Sequence, residues 1–565
     1  MDSTPAERAA FANGPFGELV IQALHRMGVS HFVVSPGSRS TPLTLAIGDL
    51  PDETFTVMLD ERSAAFHALG RIKATREPVA LVCTSGTAGA HYYPAVIEAR
   101  EAGLPLVVLT ADRPPELRNC HAGQTIDQQK LFGTYPVFQA ELPVPEKDFH
   151  LLRQVRELCR SAVQSALGPM PGPVHLNCPF REPFLPKAGS VNVEPVQELL
   201  SDLQPASSVR AVAEINPELP NRTLILAGPR PWKDREEDVR AMLRLSRKTG
   251  FPILADGSNP LRYRARRDDP VIVHYDRIVR KKSFWEDLKP NAIIQWGEPP
   301  TSKVLREKLV ELDLPGYVIG SSKQGMNPLH ARLQYGGSVI DFVRKVDAVN
   351  SDFSMIWSAE DQLMESALQT LLKENHTLFE GDIHRRLAEV LPDKAAVMYG
   401  SSLAIRDAEW FMPRSRKGLL PFSQRGANGI DGTVSIARGV ASGLGERVWL
   451  VCGDLTFLHD ANGLLNASKQ QPGVFIVVVN NNGGGIFEFL PVAHQSDEFE
   501  RMWATPQEVD IAQLVAAHGG RHVGCDGPNG LADAVKNWDG SGVVVAEVNV
   551  DRKESIALHR KLLKI

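Results

Sequence analysis

Two segments near the end of the chain combine residue types and a spacing that could hold a metal ion. The apolar run RVWLVCGD leads into Gly453, Asp454 and Leu455, and the run VFIVVVNNN contains Asn481 and precedes Gly483. Asp454 and Asn481 lie 27 positions apart, which leaves room for one helix, HDANGLLNASKQ, and a return to the neighbouring strand. A carboxylate, an amide oxygen and the Gly483 carbonyl at adjacent strand ends would form an all-oxygen site suited to Mg²⁺ or Mn²⁺.

The glycines after the asparagines indicate a second ligand beside the metal. Gly483 has no Cβ and would let the backbone approach the ion, and the amides of Gly483, Gly484 and Gly485 could bind a diphosphate. The spacing resembles the metal–diphosphate motif of thiamine diphosphate enzymes, with Leu455 at a position where glycine is commoner. Two unrelated strand ends are the alternative, because a single GD or NN pair carries little information.

Short apolar, β-branched runs that end in glycine, aspartate, asparagine or serine recur along the chain. In order they are HFVVSPG, VALVCTSG, LVVLTAD, VHLNCP, TLILAGP, PILADG, AIIQWG, YVIGSS, AAVMYGSS, RVWLVCGD, VFIVVVNNN and VVVAEVNV. Longer stretches with helical spacing, such as GELVIQALHRMG, lie between them. Continuous apolar strands that alternate with helices are typical of parallel sheets covered on both faces. The pattern therefore predicts an α/β fold of doubly wound parallel sheets.

The runs fall into three groups of about four, which predicts three domains. At 565 residues the chain is too long for a single core. The first group ends near the proline-rich FREPFLPKAGSVNVEPVQ, and a polar helical segment follows the second group. We place the domains at 1–190, 205–350 and 370–565. In such sheets ligands bind beyond the carboxyl ends of the strands, where the unusual residues of this chain lie.

A carboxylate in the first predicted domain adds to the resemblance to thiamine diphosphate enzymes. Their chemistry needs a carboxylate against the aminopyrimidine ring, and Glu61 in DERSAAF follows the run TFTVML at a strand-to-helix junction. Ile430 in RGANGIDG matches the bulky apolar residue that keeps the cofactor bent in these enzymes. The alternatives are a solvated residue at a helix start for Glu61 and an ordinary core isoleucine for Ile430.

Longer motifs narrow the resemblance to one family. They are SPGSRSTPLT, TADRPPELR, CHAGQTI, RGANGID and NNNGGGIF. Together they closely resemble the 2-succinyl-5-enolpyruvyl-6-hydroxy-3-cyclohexene-1-carboxylate synthases, thiamine diphosphate enzymes of menaquinone and phylloquinone biosynthesis. The resemblance covers the first and last domains well and the middle domain loosely. It implies decarboxylation of 2-oxoglutarate, conjugate addition of the succinyl carbanion to isochorismate, and a transferase activity.

The same resemblance assigns a role to each domain. It implies that the first domain binds the pyrimidine of the cofactor, the second is a central domain, and the third binds the diphosphate. In thiamine diphosphate enzymes the first and last domains meet across a dimer interface. The resemblance therefore implies that Glu61 acts on a cofactor held by Asp454 and Asn481 of another copy of the chain.

Both substrates of this family are polyanionic, so the site needs several fixed cations. The resemblance implies that the cations that bind substrate are Arg39, Arg113, Arg406, Arg425 and Lys303, and that Ser402 adds a neutral hydrogen bond. Arginine is preferred to lysine for bidentate binding of carboxylates. Lys303 in WGEPPTSK lies in the loosely matching middle domain, and a surface charge or a structural salt bridge is the alternative for every one of these cations.

The remaining roles follow from the same resemblance. Glu61 would be the one essential acid–base group, and Gln124, Ser38 and Arg39 would assist it in the catalytic site. The apolar residues that would line the thiazolium side of the cofactor are Ile486, Phe487 and Leu490. A water-poor wall there would favour loss of CO₂, because that step disperses charge.

Composition and charge argue against several other classes of protein. A net charge of −5 gives no sign of a nucleic-acid or membrane partner. The six scattered cysteines favour reduced thiols in a cytoplasm over zinc ligation or disulfides. No apolar stretch approaches the roughly 20 residues that span a bilayer, and MDSTPAERAAFANG lacks the apolar run of a secretory signal. We therefore expect a cytoplasmic protein, and the resemblance implies that it forms a homodimer or homotetramer.

Two other functions are compatible with parts of the pattern. Another thiamine diphosphate decarboxylase or synthase of 2-oxo acids would share the metal–diphosphate motif. Its smaller and less charged substrates would leave the arginines unexplained. A non-catalytic sensor that binds thiamine diphosphate could keep the motif and dispense with Glu61, and the presence of Glu61 argues against it.

Overall fold

A computed structural model describes residues 5–185, 194–206, 217–229, 236–319, 329, 333–335, 338–374 and 378–564. The chain forms two compact units, Met1–Arg210 and Ala211–Ile565. Within the described ranges there are three six-stranded sheets, and every pair of neighbouring strands is parallel. This confirms the predicted α/β class. The three-domain division with its boundaries stays a prediction.

The first unit contains one sheet of order β2-β1-β3-β4-β6-β5. Its strands are β1 (His31–Val34), β2 (Phe55–Val57), β3 (Val79–Cys83), β4 (Leu106–Asp112), β5 (Phe138–Glu141) and β6 (Val174–Pro179). Its helices are α1 (Pro5–Arg26), α2 (Thr41–Gly48), α3 (Glu61–Thr75), α4 (Tyr93–Ala102), α5 (Phe149–Ala166) and α6 (Glu194–Leu200). Every residue of the central strands β3 and β4 is buried, as expected for a sheet covered on both faces.

The first sheet of the second unit has the order β12-β11-β10-β7-β8-β9. Its strands are β7 (Thr223–Ala227), β8 (Ile253–Ala255), β9 (Val271–Ile272), β10 (Ala292–Trp296), β11 (Gly316–Ile319) and β12 (Leu333–Tyr335). The helices of this part are α7 (Glu236–Thr249), α8 (Tyr275–Ile278), α9 (Lys282–Asp287), α10 (Lys303–Leu312), α11 (Val339–Lys345) and α12 (Phe353–Glu374). Ile225 and Leu224 of β7 enter two separate apolar clusters, so both faces of the sheet are packed.

The last sheet has the order β14-β13-β15-β16-β18-β17. Its strands are β13 (Ala396–Tyr399), β14 (Leu420–Ser423), β15 (Val448–Gly453), β16 (Val474–Asn480), β17 (Arg521–Cys525) and β18 (Val543–Asn549). Its helices are α13 (Glu380–Val390), α14 (Leu403–Phe411), α15 (Thr433–Leu444), α16 (Asp454–His459), α17 (Val492–Gln495), α18 (Ile511–Ala517), α19 (Gly527–Lys536) and α20 (Arg552–Leu562). β15 and β16, which carry the predicted metal ligands, are neighbours near the middle of the sheet.

Buried arginines join the two sheets of the second unit. Arg262, just after β8, donates from Nη1 to the carbonyls of Ala408 and Glu409 at the end of α14, both at 2.9 Å. Arg277 of α8 donates from Nη1 to the carbonyl of Trp410 at 3.0 Å. Because buried guanidinium groups are costly to leave unpaired, these contacts hold the two sheets together.

The connection between β15 and β16 differs from the predicted helix HDANGLLNASKQ. The helix begins earlier, at Asp454, and ends at His459, and two 3₁₀ turns follow at Ala461–Leu464 and Ala467–Lys469. Asn466 lies between these turns with φ of 57°, a left-handed conformation that a right-handed helix cannot contain. The prediction of one helix over this segment is therefore wrong.

The structure also bears on membrane crossing and on the cysteines. Among the helices described here, none has both the length and the apolar character that crossing a bilayer requires. All six cysteines carry free thiols.

Candidate active site

Asp454 and Asn481 lie together because their two strands are parallel neighbours. Gly453, the last residue of β15, stands opposite Val479 of β16, so both strands end at the same edge of the sheet. Asp454 is the first residue of α16, and Asn481 follows β16 directly. The 27-residue spacing therefore brings the two side chains to one edge, as the sequence predicts.

The carboxylate of Asp454 is buried and fixed by a backbone donor. The side chain is 4% exposed, and its Oδ2 accepts from the amide of Gly483 at 2.7 Å. Burial raises the pKa of Asp454 to about 6, although the amides of Leu455 and Gly483 pull the pKa down. A carboxylate that is costly to ionise because it is buried gains most from a cation placed beside it.

The side chain of Asn481 has one satisfied end and one unsatisfied end. Its Nδ2 donates to Oε1 of Glu380 at 2.6 Å, while its Oδ1 is buried and accepts no hydrogen bond from the described residues. Buried amide oxygens normally have a partner, so an unpaired one calls for an explanation. Together with the Asp454 carboxylate, this oxygen fits the ligand set of a hard divalent cation.

Gly483 adopts a backbone conformation that favours glycine. Its φ is +130°, and a Cβ at this position would lie 2.3 Å from the carbonyl oxygen of Ala504. The Gly483 carbonyl accepts one hydrogen bond, from the amide of Gly485 at 2.9 Å, and a carbonyl oxygen can take a second partner. The third predicted ligand is thus compatible with the structure.

The amides of the three glycines are already used within the chain. The amide of Gly483 donates to Asp454, that of Gly484 to the Ala504 carbonyl at 2.7 Å, and that of Gly485 to the Gly483 carbonyl. The expectation that these amides bind a diphosphate therefore does not match their bonding in this structure. Two helices, α14 and α16, instead begin beside the cavity, and the first amides of a helix make no hydrogen bond within the helix, which suits them to phosphate.

One cavity gathers most of the predicted cofactor residues of the second unit. The predicted residues that line it are Ser402, Ile430, Gly453, Asp454, Leu455, Asn481, Gly483, Gly484, Ile486 and Phe487. Gly485, the third glycine of the predicted diphosphate loop, also lines it, and the further lining residues, which no motif indicates, are Glu380, Leu403, Ala404, Asp407, Thr456 and Val479. Leu490 is not part of this lining and is 47% exposed.

Two arginines of the second unit, Arg425 and Arg306, lie close enough to Arg406 to repel it. Burial lowers the pKa of Arg406 most, and the positive charges of Arg425 and Arg306 lower it further. Arg406 lies on α14, and its guanidinium contacts the carbonyl of Ser402 at the cavity. Like charges kept together beside a residue that lines a cavity are typical of a site for an anionic ligand.

Lys303 and Arg306 occupy the same helix but differ in their surroundings. Lys303 is the first residue of α10, and its side chain is 79% exposed and pairs with Glu307 at 3.4 Å. Arg306 donates from Nη1 to the carbonyl of Pro300 at 2.7 Å and is the one whose charge reaches Arg406. The sequence pattern points to Lys303 and not to Arg306, although the two lie one turn apart in TSKVLREK.

In the first unit, Glu61 is the first residue of α3 and is half-buried. Asp60 caps this helix, since its Oδ1 accepts from the amide of Ser63 at 3.1 Å. The strand-to-helix junction predicted from TFTVML is thus present. Val57 and Leu59, just before Glu61, are 62% and 70% exposed.

The predicted polar residues of the first unit converge on the loops after β3 and β4. Arg113 contacts the hydroxyl of Ser85 and the carbonyl of Gln124, and Gln124 Nε2 donates to the Ser85 carbonyl at 2.9 Å. Burial lowers the pKa of Arg39, and the charge of Arg113 lowers it further. Gln124 and Ser38 are exposed, so both could contact a ligand.

Arg39 also has partners within the chain, as expected if it forms a structural salt bridge. It is 6% exposed, its Nη1 donates to the Phe180 carbonyl at 2.7 Å, and its Nη2 pairs with Glu182 at 3.3 Å. Its Nε is buried and donates to no partner among the described residues. Arg39 therefore combines a structural role with an unused donor.

Two ends of the chain match known thiamine diphosphate enzymes. Residues 15–131 match the family described as thiamine pyrophosphate enzyme, N-terminal TPP binding domain. Residues 414–548 match the family described as thiamine pyrophosphate enzyme, C-terminal TPP binding domain. Thiamine pyrophosphate is another name for thiamine diphosphate, so the chain carries both cofactor-binding halves of this superfamily.

Curated relatives match nearly the whole chain and are named 2-succinyl-5-enolpyruvyl-6-hydroxy-3-cyclohexene-1-carboxylate synthase. The relative from Synechococcus elongatus is 39% identical over 97% of this chain and 95% of its own length. One from Synechococcus sp. (strain JA-3-3Ab) is 40% identical over 96% and 94%, and one from Rippkaea orientalis is 36% identical over 98% and 96%.

A solved structure shares the fold. It comes from Mycobacterium smegmatis and is assigned to the thiamin diphosphate-dependent enzymes. Its TM-score to this chain is 0.67 at 17% identity, with 95% of this chain and 99% of that chain covered. At this identity the likeness concerns the fold alone, and it agrees with the predicted architecture.

Proposed function

The chain belongs to the 2-succinyl-5-enolpyruvyl-6-hydroxy-3-cyclohexene-1-carboxylate synthase family, and we propose from this membership that it joins 2-oxoglutarate, after loss of CO₂, to isochorismate. It is a thiamine diphosphate-dependent transferase. The product would be the compound that names the family, formed on the way to menaquinone or phylloquinone. No described helix could cross a membrane, and a cytoplasmic location is part of the proposal.

The metal would be bound by Asp454, by Oδ1 of Asn481 and by the carbonyl of Gly483. The unpaired Asn481 oxygen beside the buried Asp454 carboxylate supports this set. Three oxygen ligands from the protein leave positions for diphosphate oxygens and water, which suits Mg²⁺ or Mn²⁺. The diphosphate itself would lie at the starts of α14 and α16, where Ser402, Leu403 and Leu455 line the cavity.

The bound cofactor supplies the electron sink that makes loss of CO₂ possible. Glu61 would hold a proton against the pyrimidine ring and thereby set its tautomer. Ile430 would support the bent form of the cofactor, and Ile486 and Phe487 would keep water from its reactive face. Leu490 would belong to the same wall only when an additional surface covers its exposed side.

The arginines that lie close together in each unit support 2-oxoglutarate and isochorismate as the substrates. Arg39 and Arg113 repel each other in the first unit, and Arg406 and Arg425 do so in the second. Placing like charges together costs free energy, and a bound polyanion returns it. Several carboxylates on 2-oxoglutarate and isochorismate would satisfy these groups, whereas pyruvate carries one. Gln124, Ser38 and Ser402 would add neutral hydrogen bonds, and Lys303 is the least supported of the predicted contacts.

Self-association is the remaining part of the proposal. The exposed Val57 and Leu59 beside Glu61 are apolar residues that a second copy of the chain would cover. A homodimer, or a homotetramer made of two such dimers, would bring Glu61 of one copy to the metal site of the other. Domains 1–190, 205–350 and 370–565 would then be the pyrimidine-binding, central and diphosphate-binding domains.

The test is reconstitution of the purified chain with thiamine diphosphate, Mg²⁺, 2-oxoglutarate and isochorismate. We expect loss of isochorismate absorbance and a product of the adduct mass only when all four components are present. Pyruvate in place of 2-oxoglutarate should give no adduct. CO₂ release without an adduct would identify a different acceptor and another synthase or decarboxylase. Cofactor binding with no turnover of any 2-oxo acid would favour the non-catalytic sensor.

A further inference from the structure

Glu380, the first residue of α13, forms a hydrogen bond with the side chain of the proposed metal ligand Asn481. Glu380 is 2% exposed, lines the cavity, and accepts from Nδ2 of Asn481 at 2.6 Å. Nδ2 and Oδ1 are the two ends of one amide group, so fixing the nitrogen on Glu380 directs the oxygen to the other side. This hydrogen bond therefore selects the end of the amide that a metal would meet.

A buried ion pair lies behind Glu380. Nε2 of His559 is 2.8 Å from Oδ1 of Asp407 and 3.8 Å from Oε2 of Glu380. Nδ1 of His559 is 2.8 Å from the carbonyl oxygen of Ser555. Because both ring nitrogens face acceptors, the imidazole carries two protons and one positive charge. One cation is thus shared between two buried carboxyl groups, which limits the cost of burying them.

Three helices are joined at this point. Glu380 begins α13, Asp407 lies on α14 next to Arg406, and His559 lies on α20. α20 also carries Arg552, whose Nη1 donates to the carbonyl of Asn482 at 2.7 Å. Helix α20 is therefore attached to residues 481–483, which carry two of the proposed metal ligands, in two ways. Arg552 binds the backbone of Asn482 directly, and His559 acts on Asn481 through Glu380.

The side chains of Glu380, Asp407 and His559 offer ligand atoms within 4.8 Å of one another, which by itself would also suit a metal ion. Their bonding argues against that use. The imidazole nitrogens are both committed to acceptors, and one Glu380 oxygen is committed to Asn481. A ligand nitrogen needs a free lone pair, and His559 has none in this arrangement.

We propose that Glu380, held by the His559–Asp407 ion pair, is a positioning residue that turns the amide oxygen of Asn481 toward the metal. This inference rests on the metal site of the proposed function. Residues that orient a metal ligand through a hydrogen bond typically change metal affinity by roughly 10- to 100-fold when they are lost. Glu380 acts through Asn481 and needs no contact with the ion.

Two variants of similar volume separate hydrogen bonding from packing. Glu380→Gln keeps an oxygen that can accept from Asn481, and Glu380→Met keeps the length but removes the acceptor. Binding of Mn²⁺ in the presence of thiamine diphosphate is followed by loss of the free Mn²⁺ signal in electron paramagnetic resonance. We expect Glu380→Met to bind Mn²⁺ roughly 10- to 100-fold more weakly than wild type, and Glu380→Gln to retain most of the affinity. Equal affinities in the two variants would overturn the proposal.

The wild-type protein supplies the reference and a second measurement. If wild type binds no Mn²⁺ with thiamine diphosphate, the proposed metal site itself fails, which is distinct from a failure of Glu380. A crystal structure of wild type with Mn²⁺ and thiamine diphosphate needs no variant to fold. It should show Asn481 Oδ1 on the metal with Nδ2 still on Glu380. A Glu380 oxygen on the metal, or an amide turned the other way, would refute the assignment.

Discussion

His559 shows how one residue can link the stability of the chain to pH. Burial alone would lower its pKa, but the Asp407 carboxylate, with help from Glu380, raises the pKa to about 9. A histidine in an unfolded chain titrates near 6.5. The folded state therefore binds the proton more tightly, so its stabilising effect is complete below about pH 6.5 and disappears as the pH rises through 9.

We predict that the free energy of unfolding falls by about 3 kcal/mol between pH 6.5 and pH 9.5 because of this group. Chemical denaturation at the two pH values measures the fall. His559→Gln should be less stable at pH 6.5 and should show a smaller fall. His150→Gln, at an exposed histidine on α5, is the matched control and should follow wild type. An unchanged fall in His559→Gln would show that another group titrates.

Glu61 is the residue on which the proposed chemistry depends most. Glu61→Gln preserves shape and hydrogen bonding but cannot hold the proton that the pyrimidine ring needs. Turnover should drop by roughly 10²- to 10⁴-fold, the usual contribution of a positioned acid–base group. Binding of thiamine diphosphate and Mg²⁺, measured by calorimetry, should change little. Near-normal turnover in this variant would remove Glu61 from the mechanism.

The pair Lys303 and Arg306 offers a matched test within one helix. Arg306→Gln should lower kcat/KM by roughly 10- to 100-fold, because the charge that it places beside Arg406 would help to bind the anionic substrates. Lys303→Gln should have little effect, because this side chain is 79% exposed and pairs with Glu307. Steady-state kinetics on both substrates, with melting temperatures as a check on folding, decide the matter. Equal losses in the two variants would mean that proximity to Arg406 is irrelevant.

At the scale of elements, each sheet divides into strands that sequence patterns reveal and strands that they do not. The four central strands of every sheet are the apolar runs of the sequence, because burial on both faces leaves them almost wholly apolar. The edge strands β5 and β17 are only partly buried and alternate irregularly, with the sequences FQAE and RHVGC. Edge strand β2 is predicted only by the run TFTVML, which precedes Glu61 at a strand-to-helix junction.

The site divides in a similar way. Asp454, Asn481 and Gly483 could be found because strand ends and spacing fix where such residues meet. Glu380 and His559 could not, since they lie on helices 101 positions before and 78 positions after Asn481, and His559 acts on it only through Glu380. Their contact depends on how helices pack on the sheet, and no local pattern encodes that. Asp407 carried one weak signal, its position next to the predicted Arg406.

The backbone conformation of Gly483 predicts how a side chain at this position would affect stability and metal binding. Gly483→Ala would place a Cβ 2.3 Å from the Ala504 carbonyl oxygen at a φ of +130°. Such strain costs about 1–3 kcal/mol, and relieving it would move the carbonyl proposed to bind the metal. We expect a lower melting temperature and weaker binding of thiamine diphosphate with Mg²⁺. Gly524, an exposed residue of β17, has nothing within 4 Å of an added Cβ, so Gly524→Ala is the control and should match wild type in both measurements.

At the scale of the whole molecule, the question is whether one copy of the chain completes a site. Glu61 lies in the unit Met1–Arg210, and Asp454 lies in the unit Ala211–Ile565. If two copies exchange these halves, each site contains Glu61 from one copy and Asp454 from the other. Two variants that are each inactive, Glu61→Gln and Asp454→Asn, would then complement each other when their subunits mix.

The expected activity of the mixture follows from counting sites. A mixed dimer of Glu61→Gln and Asp454→Asn has one site with both native residues and one site with neither. Random mixing makes about half of the dimers mixed, so about a quarter of the wild-type activity should return. Subunits are unfolded together, refolded and assayed, and each variant refolded alone is the control. No recovery would mean that Glu61 and Asp454 of the same copy form the site, whereas recovery requires that sites are shared between copies.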